Sequence, residues 1–229
     1  MNKLTSTQRI ISLILKTVIV LSVLIGVIMG ALASEANFMG GDTVFMYFTI
    51  QSNILIGLIC LIGAILIITN RYENKVWYII KYIGTVSITL TGVVFCFVLA
   101  PGMGANAWNL VNVLTHVVVP VVSVIDFFVI CTVTKIKKIN ALWVTVPPLL
   151  YAFYAGIGYV NNWQFFEGYN YPYFFLNWGS EAGAAGFSDK PPFMGPVWWI
   201  LILLVFLIII GLVYLLIADL ITKKVNKTK

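Results

Sequence analysis

Six stretches of nearly unbroken apolar sequence constrain this chain more than any other feature. They run over about residues 10–33, 44–69, 76–100, 109–134, 141–160 and 195–220. A helix needs about 20 such residues to cross the hydrocarbon of a bilayer. Inside lipid every backbone polar group must find its partner within the protein, which a helix does by itself. Only 10% of the 229 residues are charged and 61% are hydrophobic, against about 25% charged in soluble domains. Lipid must therefore cover most of the surface. The predicted fold class is all-α: a polytopic membrane protein, a six-transmembrane-helix bundle forming a single transmembrane domain over 1–229. The connections 34–43, 70–75, 101–108 and 135–140 are short, which makes neighbouring helices antiparallel. Only the connection over 161–194 is long. Ala31-Leu32-Ala33 has the small-residue pattern of a leader cleavage site. The run before it is longer than the ~7–15 apolar residues of a leader, so it is read as a span.

The positions of the charges orient the bundle. Lys3, Arg9 and Lys16 precede or begin the first span, and Arg71, Lys75 and Lys81 surround the second connection. Lys135, Lys137 and Lys138 fill the fourth connection, and Lys223, Lys224, Lys227 and Lys229 form the tail. Of 14 basic residues only Lys190 falls on the opposite side. Basic residues mark the cytoplasmic side. The expected location is thus a bacterial cytoplasmic (plasma) membrane, with both termini cytoplasmic. The net charge of +6 is a topology signal, and no nucleic-acid partner is expected. Membrane lipids are the expected partners. Cys60, Cys96 and Cys131 sit in apolar segments without metal-ligand spacing, phosphate-binding glycine loops are absent, and neither metal nor organic cofactor is implied.

Polar residues inside the spans are costly and mark the places where chemistry is affordable. In the fourth span Asn109, Asn112, His116, Ser123 and Asp126 fall on one helical face, which must point into the bundle. Pro120 follows His116 by four residues and cannot bond to its carbonyl, which predicts a kink or a freed carbonyl there. In the second span Thr49, Ser52 and Asn53 share a face. Thr49 is expected ~8 Å and His116 ~10 Å below the outer boundary, so the two can meet. Asp126 lies ~15 Å beyond His116, too far to orient it, and is expected to pair with Lys81 or Lys16. The stripe Lys81, Thr85, Thr89, Gly92 and Cys96 reads as a helix-packing face. Pro147 and Pro148 are expected to kink or break the fifth helix near its middle.

A hydroxyl becomes a nucleophile when a base takes its proton, and neutral histidine suits that task. Thr49 and His116 are therefore the candidate catalytic pair, with Ser52, Asn53 and Asn112 as candidate substrate-binding residues and Asn53, Asn112 or backbone amides near Pro120 as candidate oxyanion donors. The same residues are equally those of helix-to-helix hydrogen bonds. The alternative function is a non-enzymatic membrane protein that binds or transports a small amphipathic solute, with Asp126 on its path. The long connection packs nine aromatic residues between Trp163 and Trp178. It reads as an interfacial aromatic belt or as a lid with Gly179, Gly183 and Gly186 as hinges.

The run Tyr47-Phe48-Thr49-Ile50-Gln51-Ser52-Asn53 resembles the second-helix motif of a bacterial six-pass membrane family called Pr-six-Pr. The run His116-Val117-Val118-Val119-Pro120, continuing to Asp126-Phe127, resembles its fourth-helix motif. Pro148 with Tyr151, and Tyr171-Pro172-Tyr173-Phe174-Phe175-Leu176, look like its later signatures. Many members carry an aspartate where this chain has Asn177. That family is distantly similar to the androgen-induced-protein family, membrane hydrolases of fatty acid esters of hydroxy fatty acids that use a threonine nucleophile with a histidine. By position in these motifs Thr49 is similar to that threonine and His116 to that histidine. The resemblance thus implies an intramembrane hydrolase of lipid esters, with a lipid-like substrate.

Overall fold

The computed structural model describes residues 3–33, 39–71 and 74–227. Half of the first connection, Glu73 in the second and Lys229 of the basic tail lie outside the described residues. Six helices are long and apolar enough to cross a membrane: α1 (Ser6–Ala31), α2 (Phe48–Ile68), α3 (Lys75–Trp108), α4 (Leu110–Ile130), α5 (Lys138–Val160) and α6 (Pro196–Lys227). No strand occurs among the described residues. The chain is an all-α, multi-pass bundle.

Local chemistry explains where the helices start. Thr5 caps α1 by accepting from the amide of Gln8, whose side chain accepts from the Thr5 amide in return. Asn74 caps α3 through the amides of Val76 and Trp77, and Asn109 caps α4 through the amide of Asn112. Each side chain satisfies donors that the first helical turn leaves without partners.

Three expectations need correction. The second helix begins at Phe48, because residues Gly41–Met46 form a separate 3₁₀ turn. Thr49 is therefore the second residue of α2 and sits at its N-terminus. Residues 101–108, expected as a connection, continue α3 as a short α-helical and then a 3₁₀ turn. Pro147 and Pro148 do not interrupt an α-helix: the α-helical part of α5 starts at Val146 behind a 3₁₀ segment, Lys138–Thr145. Both prolines thus lie in the first turn, where their missing N–H groups cost nothing.

Helices α1 to α4 form a ring in which α1 packs on α2 and α4, and α3 packs on the same two. Helices α5 and α6 pack against the far side of α3. Small residues permit the close approaches. A Cβ on Gly26 of α1 would stand 2.6 Å from the Thr115 methyl of α4. A Cβ on Gly92 of α3 would stand 2.8 Å from the His116 carbonyl oxygen. The stripe on α3 behaves as a packing face: Lys81, Thr85 and Gly92 are buried, and Thr89 reaches the Tyr214 hydroxyl of α6 at 3.1 Å.

At the level of Cys60 the ring encloses a charge cluster. Asp126 of α4 meets Lys16 of α1 at 2.7 Å and Lys81 of α3 at 2.8 Å, and accepts from Ser12 at 2.6 Å. All three charged side chains are at most 2% exposed. The expected pairing of Asp126 with one lysine is in fact a pairing with both. Lys81 also donates to the Cys60 sulfur of α2 at 3.3 Å. Every helix of the ring contributes to the cluster.

Candidate active site

The opposite end of the bundle, where only Lys190 brings a positive charge, holds the Thr49 and His116 side chains. Thr49 Oγ1 lies 3.3 Å from His116 Nε2, and both residues are buried. The partners of the other ring nitrogen decide which way this bond runs. His116 Nδ1 lies 3.1 Å from the Asn112 carbonyl oxygen, which can only accept. Nδ1 therefore carries the proton, and Nε2 has the free lone pair. The Thr115 hydroxyl, 3.1 Å from Nδ1, donates to the Val111 carbonyl and accepts from the same Nδ1–H. Thr49 then donates its hydroxyl proton to Nε2, the arrangement that general-base activation requires.

Two departures from α-helical geometry build this contact. Residues Leu114–Val118 of α4 and Phe95–Leu99 of α3 are both π-helical. Such wider turns are rare and concentrate at functional sites. They place His116 and Phe95 ring against ring, between the two helices. Pro120, expected to kink α4, lies just beyond the wide turn, with its ring carbons 3.1 Å from a Cβ built on Gly92.

The three candidate binding residues serve mainly as framework. Asn53 Nδ2 donates to the carbonyls of Thr49 and Thr115, so it staples α2 to α4. Among the described residues its buried Oδ1 has no hydrogen-bond partner, and an acceptor oxygen cannot stabilise an oxyanion. Ser52 donates to the Thr49 carbonyl and lies 2.7 Å from the Thr91 hydroxyl of α3. Asn112 Nδ2 donates to the Ala107 carbonyl, and Asn112 acts on His116 through its backbone. Ser123 is buried farther down α4, while Asn109 is exposed at the cap.

Tyr173, from the long aromatic connection, completes the site. Its hydroxyl accepts from the Thr49 amide at 3.4 Å. Burial pushes its phenol above the usual range, so it remains a neutral donor. Tyr173 is fixed by stacking on Phe175, with centroids 5.2 Å apart and planes at 5°, and by edge contacts with Tyr47. The connection thus folds inward over the bundle: Phe165, Tyr173, Phe175 and Leu176 are buried, and Tyr47 donates to the Phe165 carbonyl.

Cavities flank the pair. On the Thr49 side a cavity of about 60 Å³ lies between α2, α3, α5 and α6, walled chiefly by residues such as Leu90, Val94, Ala152 and Leu203. On the His116 side a cavity of about 420 Å³ lies between α1, α2, α3 and α4 and is edged by Asn109, Asn112 and Thr115. Phe95 and Leu99 line both. A third space, of about 460 Å³, lies under the aromatic connection and shares Tyr173 and Leu99 with the first. Among the described residues no cluster of side chains is arranged to hold a metal ion.

No family model, no curated protein and no solved structure matches the chain.

Proposed function

We propose that this membrane protein is a hydrolase of lipid esters, with Thr49 as the nucleophile and His116 as the base. The observation that carries the reading is the 3.3 Å contact from Thr49 Oγ1 to a histidine nitrogen whose partner nitrogen is tied to the Asn112 carbonyl. In the first step Thr49 Oγ bonds to the ester carbonyl carbon and its proton moves to His116 Nε2. The tetrahedral oxyanion forms at the N-terminus of α2, beside the Thr49 amide and the Tyr173 hydroxyl that this amide meets at 3.4 Å. The ester C–O bond then breaks, the alcohol leaves with the proton from Nε2, and an acyl-threonine remains. Water then attacks the acyl carbon and gives a proton to His116 Nε2; the bond from that carbon to Thr49 Oγ breaks, Oγ takes the proton back from Nε2, and a carboxylic acid is released. Placed by the positive-inside rule, the site works in the outer half of a bacterial plasma membrane with both termini cytoplasmic. The resemblance to the Pr-six-Pr and androgen-induced-protein families agrees with the same pair of residues.

A solute-binding or transport role has weaker support. Asp126, the acid such a path would use, has both carboxylate oxygens engaged by Ser12, Lys16 and Lys81.

The test is covalent labelling of the purified protein in detergent with a fluorophosphonate probe. Labelling at Thr49 that Thr49→Ala and His116→Ala both abolish, with each variant monodisperse, supports the hydrolase. A wild-type protein that takes no label under conditions that label a known serine hydrolase refutes it.

A further inference from the structure

We infer that the ester this site accepts is uncharged, with its acyl chain on the Thr49 side and an electrically neutral alcohol half on the His116 side. The inference rests on the hydrolase reading and names its substrate class. It departs from what the resemblance implies, because an ester of a hydroxy fatty acid carries a free carboxylate on its alcohol half.

Geometry assigns the two halves. The nucleophile Thr49 lines the hydrocarbon-walled cavity and His116 lines the larger one. The leaving alcohol must take its proton from His116, so it departs on the His116 side. The acyl group stays bonded to Thr49 and extends among Leu90, Val94, Leu203 and Leu204. The seam between α5 and α6, which bounds that cavity with Ala152 and Leu204, faces the bilayer with partly exposed side chains. A chain attached to Thr49 would run out through that seam into the hydrocarbon, because the cavity of about 60 Å³ has room for only its first few carbons.

Charge then restricts the alcohol half. Among the described residues the larger cavity takes its polar lining from Asn109, Asn112, Thr115 and His116, and none of its other lining residues is ionisable. A carboxylate or phosphate brought there would lose water without gaining a counter-charge, which is costly. The surroundings offer no relief. The connections 32–47, 104–109 and 161–195 contain five acidic residues, Glu35, Asp42, Glu167, Glu181 and Asp189, against the single Lys190. That lysine is held by Glu181 at 2.7 Å. The field at this end is negative, and it repels anions as they approach. The neutral amides and hydroxyls of the cavity instead suit hydroxyl or ester oxygens on the alcohol half.

The experiment uses one compound in two charge states: the palmitoyl ester of a hydroxystearic acid as its free carboxylate and as its methyl ester. Binding of each to full-length Thr49→Ala protein in neutral detergent is read by tryptophan fluorescence, since Trp108 packs edge-on against Phe95 beside the cavity. The methyl ester is expected to bind at least about tenfold more tightly. Met103→Lys, which puts a cation on the wall of the larger cavity, should tighten carboxylate binding by about fivefold. Equal or tighter binding of the carboxylate to the Thr49→Ala protein overturns the inference, as does failure of both compounds to bind. Hydrolysis of the methyl ester by wild-type protein is measured separately. Selective binding without hydrolysis would keep the neutral ligand and discard the hydrolase.

Discussion

The ring of Phe95 lies flat against that of His116, with centroids 3.8 Å apart and planes within 18°. The contact holds the imidazole in the orientation that presents Nε2 to Thr49, and the same Phe95 ring is the wall between the two cavities. Phe95→Ala should cost about 3–5 kcal/mol of stability and merge the cavities. The rate of probe labelling at Thr49 should fall at least about tenfold in protein that is still folded, measured below its lowered melting temperature. An unchanged rate would mean that the Asn112 carbonyl alone suffices to hold the ring.

Tyr173→Phe removes one oxygen and keeps the stack on Phe175. Stability should change by about 1 kcal/mol, while turnover should fall about 100-fold with little change in KM, because the hydroxyl serves a charge that exists only in the transition state. Kinetics on a soluble short-chain ester would separate the two parameters. A loss confined to KM would assign Tyr173 to binding instead.

The buried cluster makes an asymmetric prediction. Two lysines and one aspartate sum to one positive charge. Lys81→Met leaves a neutral Lys16–Asp126 pair, whereas Asp126→Asn leaves two cations facing each other in the bundle. Asp126→Asn should therefore cost about 3–5 kcal/mol and sharply lower the yield of detergent-soluble protein. Lys81→Met should cost less. Melting temperatures of the two purified variants check the order, and the reverse order would contradict the arithmetic.

Gly92→Ala tests the packing that positions the base. Its new methyl would stand 2.8 Å from the His116 carbonyl oxygen and 3.1 Å from Pro120, so α3 and α4 must part. A loss of about 1–3 kcal/mol is expected, together with slower labelling of Thr49. Gly102→Ala, where a Cβ meets nothing within 4 Å, serves as the control and should leave labelling intact.

How much of this was legible in the sequence depended on the range of the interaction. The six helices follow from apolar length alone, and the face of α4 that carries His116 and Asp126 follows from helical spacing. The meeting of Thr49 with His116 could be anticipated from similar depth, though the reason differs: Thr49 is held at the first turn of α2, because Gly41–Met46 forms its own 3₁₀ turn. Tyr173 was not legible as a site residue. Its partner Thr49 is 124 positions away, and an aromatic-rich connection looks the same whether it lies on the membrane or folds inward. The π-helical turns were equally hidden, since no residue type encodes them. Asn112 was legible as a polar neighbour, but its backbone oxygen, which sets the tautomer of His116, carries no side-chain signature. Asp126 was expected to choose between two lysines, and spacing along one helix could not reveal that α1 and α3 approach it from both sides.

The charge cluster also bears on how the chain is put together. Lys16 enters the bilayer with α1, long before Asp126 of α4 has been synthesised, and an unpaired lysine at mid-helix costs about 2.5–3.5 kcal/mol to insert. Until its partner arrives Lys16 must reach toward the nearer water interface along its own stem. Lys81 faces the same wait in α3. The arrival of α4 ends it for both at once, drawing α1 and α3 onto a common acid and closing the ring around Cys60. Electrostatics thus gives the fourth helix a particular part in assembly: only with its acid in place do the lysines of α1 and α3 gain their common partner.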